Sequence, residues 1–140
     1  MLDLYHRRQR AGGLPSNLIA DALVERAALM SAGIVRQFLE FLHAAGRAAL
    51  AAGRRSISSA DLESALHLTR LEMTGYLRNE HYQLLGRVLD EGGVPIGEEA
   101  NTLLFENFIA CYPNGEAWFR PHELIVESVR KRVSGSPDAP

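Results

Sequence analysis

Two glycine breaks bracket the stretch that most restricts how this chain can fold. The first is Ser31-Ala-Gly33 and the second is Gly53-Arg-Arg55. Between them Val35, Phe38, Leu39, Leu42, Ala45, Ala49 and Leu50 recur at i, i+3, i+4, i+7 spacing. That spacing predicts one broad apolar face on a long helix. Ala44, Ala45, Gly46, Ala48, Ala49, Ala51 and Ala52 are small enough to let other helices approach closely. Gly53 then stops the helix as a C-terminal cap.

The flanks also read as helical. Leu2 to Arg10 forms a short charged helix, broken at Ala11-Gly-Gly-Leu-Pro15. Ser16 or Asn17 caps a helix to about Met30, with Leu18, Ala22 (or Leu23), Arg26 and Leu29 at helical spacing. Ser58-Ser-Ala-Asp61 is a capping-box pattern, a hydroxyl followed three residues later by a carboxylate. Its helix carries Leu62, Ala65, Leu66, Thr69 and Met73 and ends near Gly75.

Beyond Gly75 the character changes. Asn79 caps a helix bearing Tyr82, Leu85 and Leu89, which Glu91-Gly-Gly-Val-Pro95 ends. Glu98 to about Phe108 follows, with Leu103, Leu104, Phe105 and Phe108 as its apolar side. The clear strand signal comes next. Phe108-Ile-Ala-Cys-Tyr112 and Ala117-Trp-Phe-Arg120 flank Pro113-Asn-Gly-Glu116, and Asn-Gly between such runs marks a hairpin. Pro121 ends the second strand, and His122 to about Val133 reads as a last helix. Ser134 to Pro140 is a polar tail, expected to be disordered. The predicted fold is mainly α. A four-helix bundle over 1–75 precedes a helix–helix–hairpin–helix unit over 76–133, the order of a small winged helix with the hairpin as its wing.

Composition narrows the function. The 140 residues are 46% hydrophobic with a formal charge of −2. That supports a modest core and argues against attachment to nucleic acid by bulk charge. Cys111 stands alone, so no disulfide or cysteine metal site is expected; in its strand it reads as a small core residue. No signal peptide or membrane-length apolar run is visible, so a cytoplasmic protein without membrane contact is expected.

Catalytic patterns are weak. Gly46 to Ser56 superficially resembles a phosphate loop, but its glycines are too far apart, no Lys follows Gly53, and it lies in and after a helix. His6, His43, His67, His81 and His122 are scattered, without the spacing of a zinc site or a paired nucleophile. His43 and His67 lie on successive helices, where a packed or surface role outweighs an approach to each other. No catalytic residue and no metal site is assigned, and the chain is not expected to be an enzyme.

Two sets of residues invite a binding role. Arg120, Arg130, Lys131 and Arg132, with Trp118 and Phe119 in the wing, suit DNA phosphates or a protein partner. The helix that would read DNA carries Glu98, Glu99 and Glu106 and no Arg or Lys, which phosphate repels. The second candidate is Arg36, just after Gly33. A cation at a helix N-terminus opposes the helix dipole. It is either a solvated Arg paired with Glu40 at i, i+4, or a group awaiting an anion.

Ser31-Ala-Gly-Ile-Val-Arg36 resembles the small-Gly-x-x-Arg motif, called sensor 2, in the helical lid of AAA+ and STAND-type P-loop ATPases. The following order is similar too: an alanine-rich helix, a Gly-Arg turn, then Ile57-Ser58-Ser59-Ala60-Asp61-Leu62-Glu63-Ser64-Ala65. Tyr82-Gln-Leu-Leu85, Leu103 to Tyr112, Asn114-Gly115-Glu116 and Trp118-Phe-Arg-Pro-His122 resemble the winged helix of origin-recognition-like members. The resemblance spans about 2–132. It implies that Gly33 and Arg36 sense nucleotide, with Arg36 on the terminal phosphates. ATP and Mg²⁺ would come only with an ATPase core supplied elsewhere, because phosphate loop, Mg²⁺ site and base are all missing here. The chain would then be the C-terminal piece of a longer ATPase or the product of a split gene. Ala32 departs from the pattern, since many relatives carry a second Gly there. The alanine-rich helix, basic turn and Ile-Ser-x-x-Asp start also resemble the second half of a histone fold, which implies a dimer on DNA. The acidity and the Gly33 break favour the lid.

Overall fold

A computed structural model describes residues 1–13, 17–93, 95–114 and 116–135. Seven α-helices and one two-stranded antiparallel hairpin are present among them. The chain divides into two compact units, Met1–Thr69 and Arg70–Pro140. The division falls inside a helix, whereas the sequence pattern places it at that helix's end.

The first unit holds α1 (Leu2–Ala11), α2 (Asp21–Met30), α3 (Val35–Ala51) and the first turns of α4 (Ser59–Tyr76). α1 packs on α2, and α2 on α3. Val24, Ala27, Phe38, Ala45, Leu62 and Leu66 are fully buried. Removing such side chains from water is what stabilises the bundle, at about 1.5–3 kcal/mol for each large one.

Three details correct the sequence reading. α2 begins at Asp21, not at Asn17; Ser16 lies outside the described residues. Residues 18–19 stay outside the helix, because Ile19 bridges Ile57 in parallel and Leu18 O accepts the Ile57 N–H at 2.8 Å. A tertiary pairing thus claims backbone that local periodicity gave to the helix. On α3, Val35 and Leu50 are exposed, while Phe41, absent from the predicted stripe, is buried. The core lies against Phe38, Phe41, Ala45 and Ala49, one edge of a wider apolar face.

Both ends of the α3–α4 connection follow local rules. Gly53 sits at φ +72°, donates its N–H to Leu50 O, and Arg54 N–H reaches Ala49 O at 2.9 Å. That is a Schellman stop, which favours glycine because positive φ crowds a Cβ. At the start of α4, Ser58 N–H donates to Asp61 Oδ2 at 2.8 Å, and Asp61 N–H reaches Ser58 Oγ at 3.4 Å. The expected capping box is formed.

The second unit contains the end of α4, α5 (Asn79–Glu91), α6 (Glu98–Phe105), β1 (Ile109–Asn114), β2 (Glu116–Pro121) and α7 (Val126–Val133). α5 packs on α7 and on β2, and α6 on β1. Leu85, Leu124, Ile125 and Val129 centre its core. Gly86 lets α5 meet α7, since a Cβ there would lie 2.7 Å from Val133 Cγ2. Arg70 Nε donates to Leu124 O at 3.0 Å, tying the end of α4 into this unit.

Here too the ends differ from expectation. Asn79 is the first helical residue of α5 rather than its cap; the Arg78 N–H donates to His81 Nδ1 at 3.1 Å. α6 stops at Phe105, which is 84% exposed. Asn107 turns the chain at φ +62°, and Phe108 enters the core from outside the helix. The last helix begins at Val126, after a 3-10 turn over Glu123–Ile125 that buried His122 caps by accepting the Leu124 N–H at Nδ1. The tail expected over 134–140 lies outside the described residues from 136 onward.

Candidate functional site

The turn into α3 is built from Ser31 to Ile34. Ser31 is fully buried and its hydroxyl donates to Ala28 O at 2.8 Å. Ala32 takes φ +50° and Gly33 φ +83°. Two successive left-handed residues reverse the chain sharply. Ala32 is therefore strained, since positive φ crowds its Cβ. Ile34 caps α3 without a side-chain hydrogen bond, and the first turn holds no acidic residue.

Arg36 stands in that first turn with its side chain 80% exposed. Its neighbour is Glu40, with Nε to Oε1 at 3.9 Å. An exposed i, i+4 contact of that length contributes only a few tenths of a kcal/mol. The N-terminal end of α3 and the solvent-facing Arg36 guanidinium bring positive charge together at this corner.

The sequence also carries an arginine whose role its pattern did not show. Arg54 grips Asp61 through two bonds of 2.6 Å and donates to Ser58 Oγ at 3.2 Å. The Arg54 guanidinium first, then the Ser58 hydroxyl and N–H, hold the Asp61 carboxyl well below the usual carboxylate range. Arg26 makes a similar fork with Glu63, at 2.6 and 3.3 Å, between α2 and α4. The capping box was legible; the reach of Arg54 across seven residues depends on the Schellman turn that aims it.

In the second unit most of the expected basic residues have partners within the chain. Arg120 Nη2 lies 3.3 Å from Glu123, and Lys131 Nζ lies 3.3 Å from Glu127. Arg132 reaches Asn79 Oδ1 at 3.3 Å and stacks 5.6 Å from the Tyr82 ring centre. Arg130 is exposed. Trp118 is stacked on Tyr112, with ring centres 4.4 Å apart, and Phe119 is half-buried.

Cys111 is exposed, against the expectation of a core residue. The two-stranded ribbon leaves the core from its base. Ile109 and Pro121 are buried there, while Pro113 and Ala117 farther out are exposed. His43 and His67 are both exposed. Among the described residues no three His, Cys, Asp or Glu side chains gather as metal ligands, and no helix is long and apolar enough to cross a membrane. Compared with known proteins, the chain matches no family model, no curated protein and no solved structure.

Proposed function

We propose that this chain is a non-catalytic coupling module of an AAA+/STAND-type ATPase, working in the cytoplasm with a nucleotide-binding core supplied elsewhere. The observation that supports it is Arg36: an exposed guanidinium, weakly held by Glu40, beside an uncapped helix start and the Ala32–Gly33 reversal. A phosphate group on the core would be drawn to that corner by the Arg36 charge and by the positive end of the helix dipole. When hydrolysis removes the terminal phosphate, Arg36 loses its partner and the balance between the module's positions shifts. ATP and Mg²⁺ belong to the core in this reading.

The second unit then carries the change to a partner. A protein partner fits better than DNA. α6 opens with Glu98 and Glu99, and Arg120, Lys131 and Arg132 already have acceptors within the chain. Reconstituting the module with the P-loop core of its parent or of a neighbouring gene tests the proposal. Arg36→Ala should lower ATP turnover by about tenfold or more while leaving the fold intact. An unchanged rate would overturn the sensor role.

A further inference from the structure

We propose that the open groove between α1 and α3 docks an acidic amphipathic helix of a partner protein. The groove lies wholly within the first unit and has a volume of about 460 Å³. It exists because the apolar face of α3 is wider than the fold covers. Phe41 and Ala45 are buried away from the groove, buried Phe38 and Ala49 lie among its lining residues, and Leu39, Leu42, Gly46 and Leu50 line it as well. Leu4 and Tyr5 of α1 form the opposite wall, and the Ile19–Ile57 bridge contributes to the lining. Gly46 keeps space open, since a Cβ there would meet only Ile57 Cδ1, at 3.8 Å.

Two observations select the occupant. The groove runs beside α3 from Leu39 to Leu50, about 16 Å at the helical rise, which matches three turns of a docked helix. Arg8, Arg47 and Arg55 stand among its lining residues, which include no Asp or Glu, and no carboxylate pairs with these three among the described residues. An apolar face flanked by Asp and Glu complements such a border, whereas a basic helix would be repelled. Arg36 is not among the lining residues, so this surface stands independently of the nucleotide reading.

The test uses the full chain, isotopically labelled, and three synthetic helices of about 18 residues, or five turns. All place Leu at i, i+3, i+4, i+7. One is flanked by Glu, one by Lys, and the third has Glu flanks with Ser in place of Leu. The Glu-flanked peptide should shift the amides of Leu42, Gly46 and Ile57 and perturb the Tyr5 ring. The Lys and Ser versions should bind at least about tenfold more weakly. Arg47→Glu with Arg55→Glu, both exposed and neutral to the fold by circular dichroism, should reverse the Glu-over-Lys preference. Gly46→Met, which fills the groove, should weaken both. Equal binding of the Glu and Lys peptides, shifts mapping elsewhere, no binding, or saturation of the same residues by laurate alone would each overturn the proposal.

Discussion

The turns before α3 and before α4 are built from similar parts and end with opposite electrostatics. Each uses a glycine at positive φ, Gly33 at +83° and Gly53 at +72°. Each sets an arginine near the start of the next helix. Before α4, Arg54 is gripped by Asp61 and Ser58, and the helix start is capped. In the first turn of α3, Arg36 meets only a distant Glu40 among the described residues, and Ile34 makes no side-chain cap bond. The first arginine is used up by the structure. The second is available to something outside it, and that difference, rather than the presence of an Arg, carries the functional reading.

The widest gap between the turns should appear in the side chains just beyond them. Leu62 follows Asp61 and is fully buried. Leu62→Ala should cost about 2–5 kcal/mol in urea unfolding. Val35, at the start of α3, is 46% exposed, and Val35→Ala should stay within about 0.5 kcal/mol. Similar losses at both sites would break the comparison.

Asp61→Asn should come next. The folded carboxyl titrates below its unfolded value of about 3.9, so its contribution is fully present above that pH and is lost as pH falls through the folded pKa. Wild type should exceed Asp61→Asn by a constant margin above about pH 4, and the margin should shrink on further acidification. Urea midpoints from neutral pH into acid would show it; a margin that stays level in acid would remove Asp61 as the anchor.

The backbones of the two turns should respond alike. Gly33→Ala and Gly53→Ala should each lose about 1 kcal/mol, since both force a Cβ into the left-handed region. Ala32→Gly should be neutral or gain up to about 1 kcal/mol, its relief of strain partly offset by unfolded-state entropy. Thermal unfolding of the three variants separates these outcomes.

The smallest effect belongs to Arg36→Ala, within about 0.5 kcal/mol by urea unfolding. A larger loss would mean that Arg36 is structural after all, and would erase the contrast with Arg54.

Much of the helical order could be read from the chain because the relevant forces are local. The Ser58–Asp61 box and the Gly53 stop each act within a few residues, while the Asn-Gly turn falls at Gly115, outside the described residues. What escaped depends on distant partners. The start of α2 was misplaced because Ile57 pairs with residue 19. Cys111 was placed in a core that its ribbon leaves behind. The groove was hidden because periodicity reports that a face is apolar, not whether another element covers it.

The sequence by itself determined the helices, their breaks and the hairpin, since propensity, capping and turn chemistry are short-range. Tertiary structure alone decided which arginine is free and which is held, and which half of the α3 face is core and which is open. Those outcomes depend on where distant groups arrive, and a guanidinium's partner or an apolar face's cover is set by packing rather than by neighbours in the chain.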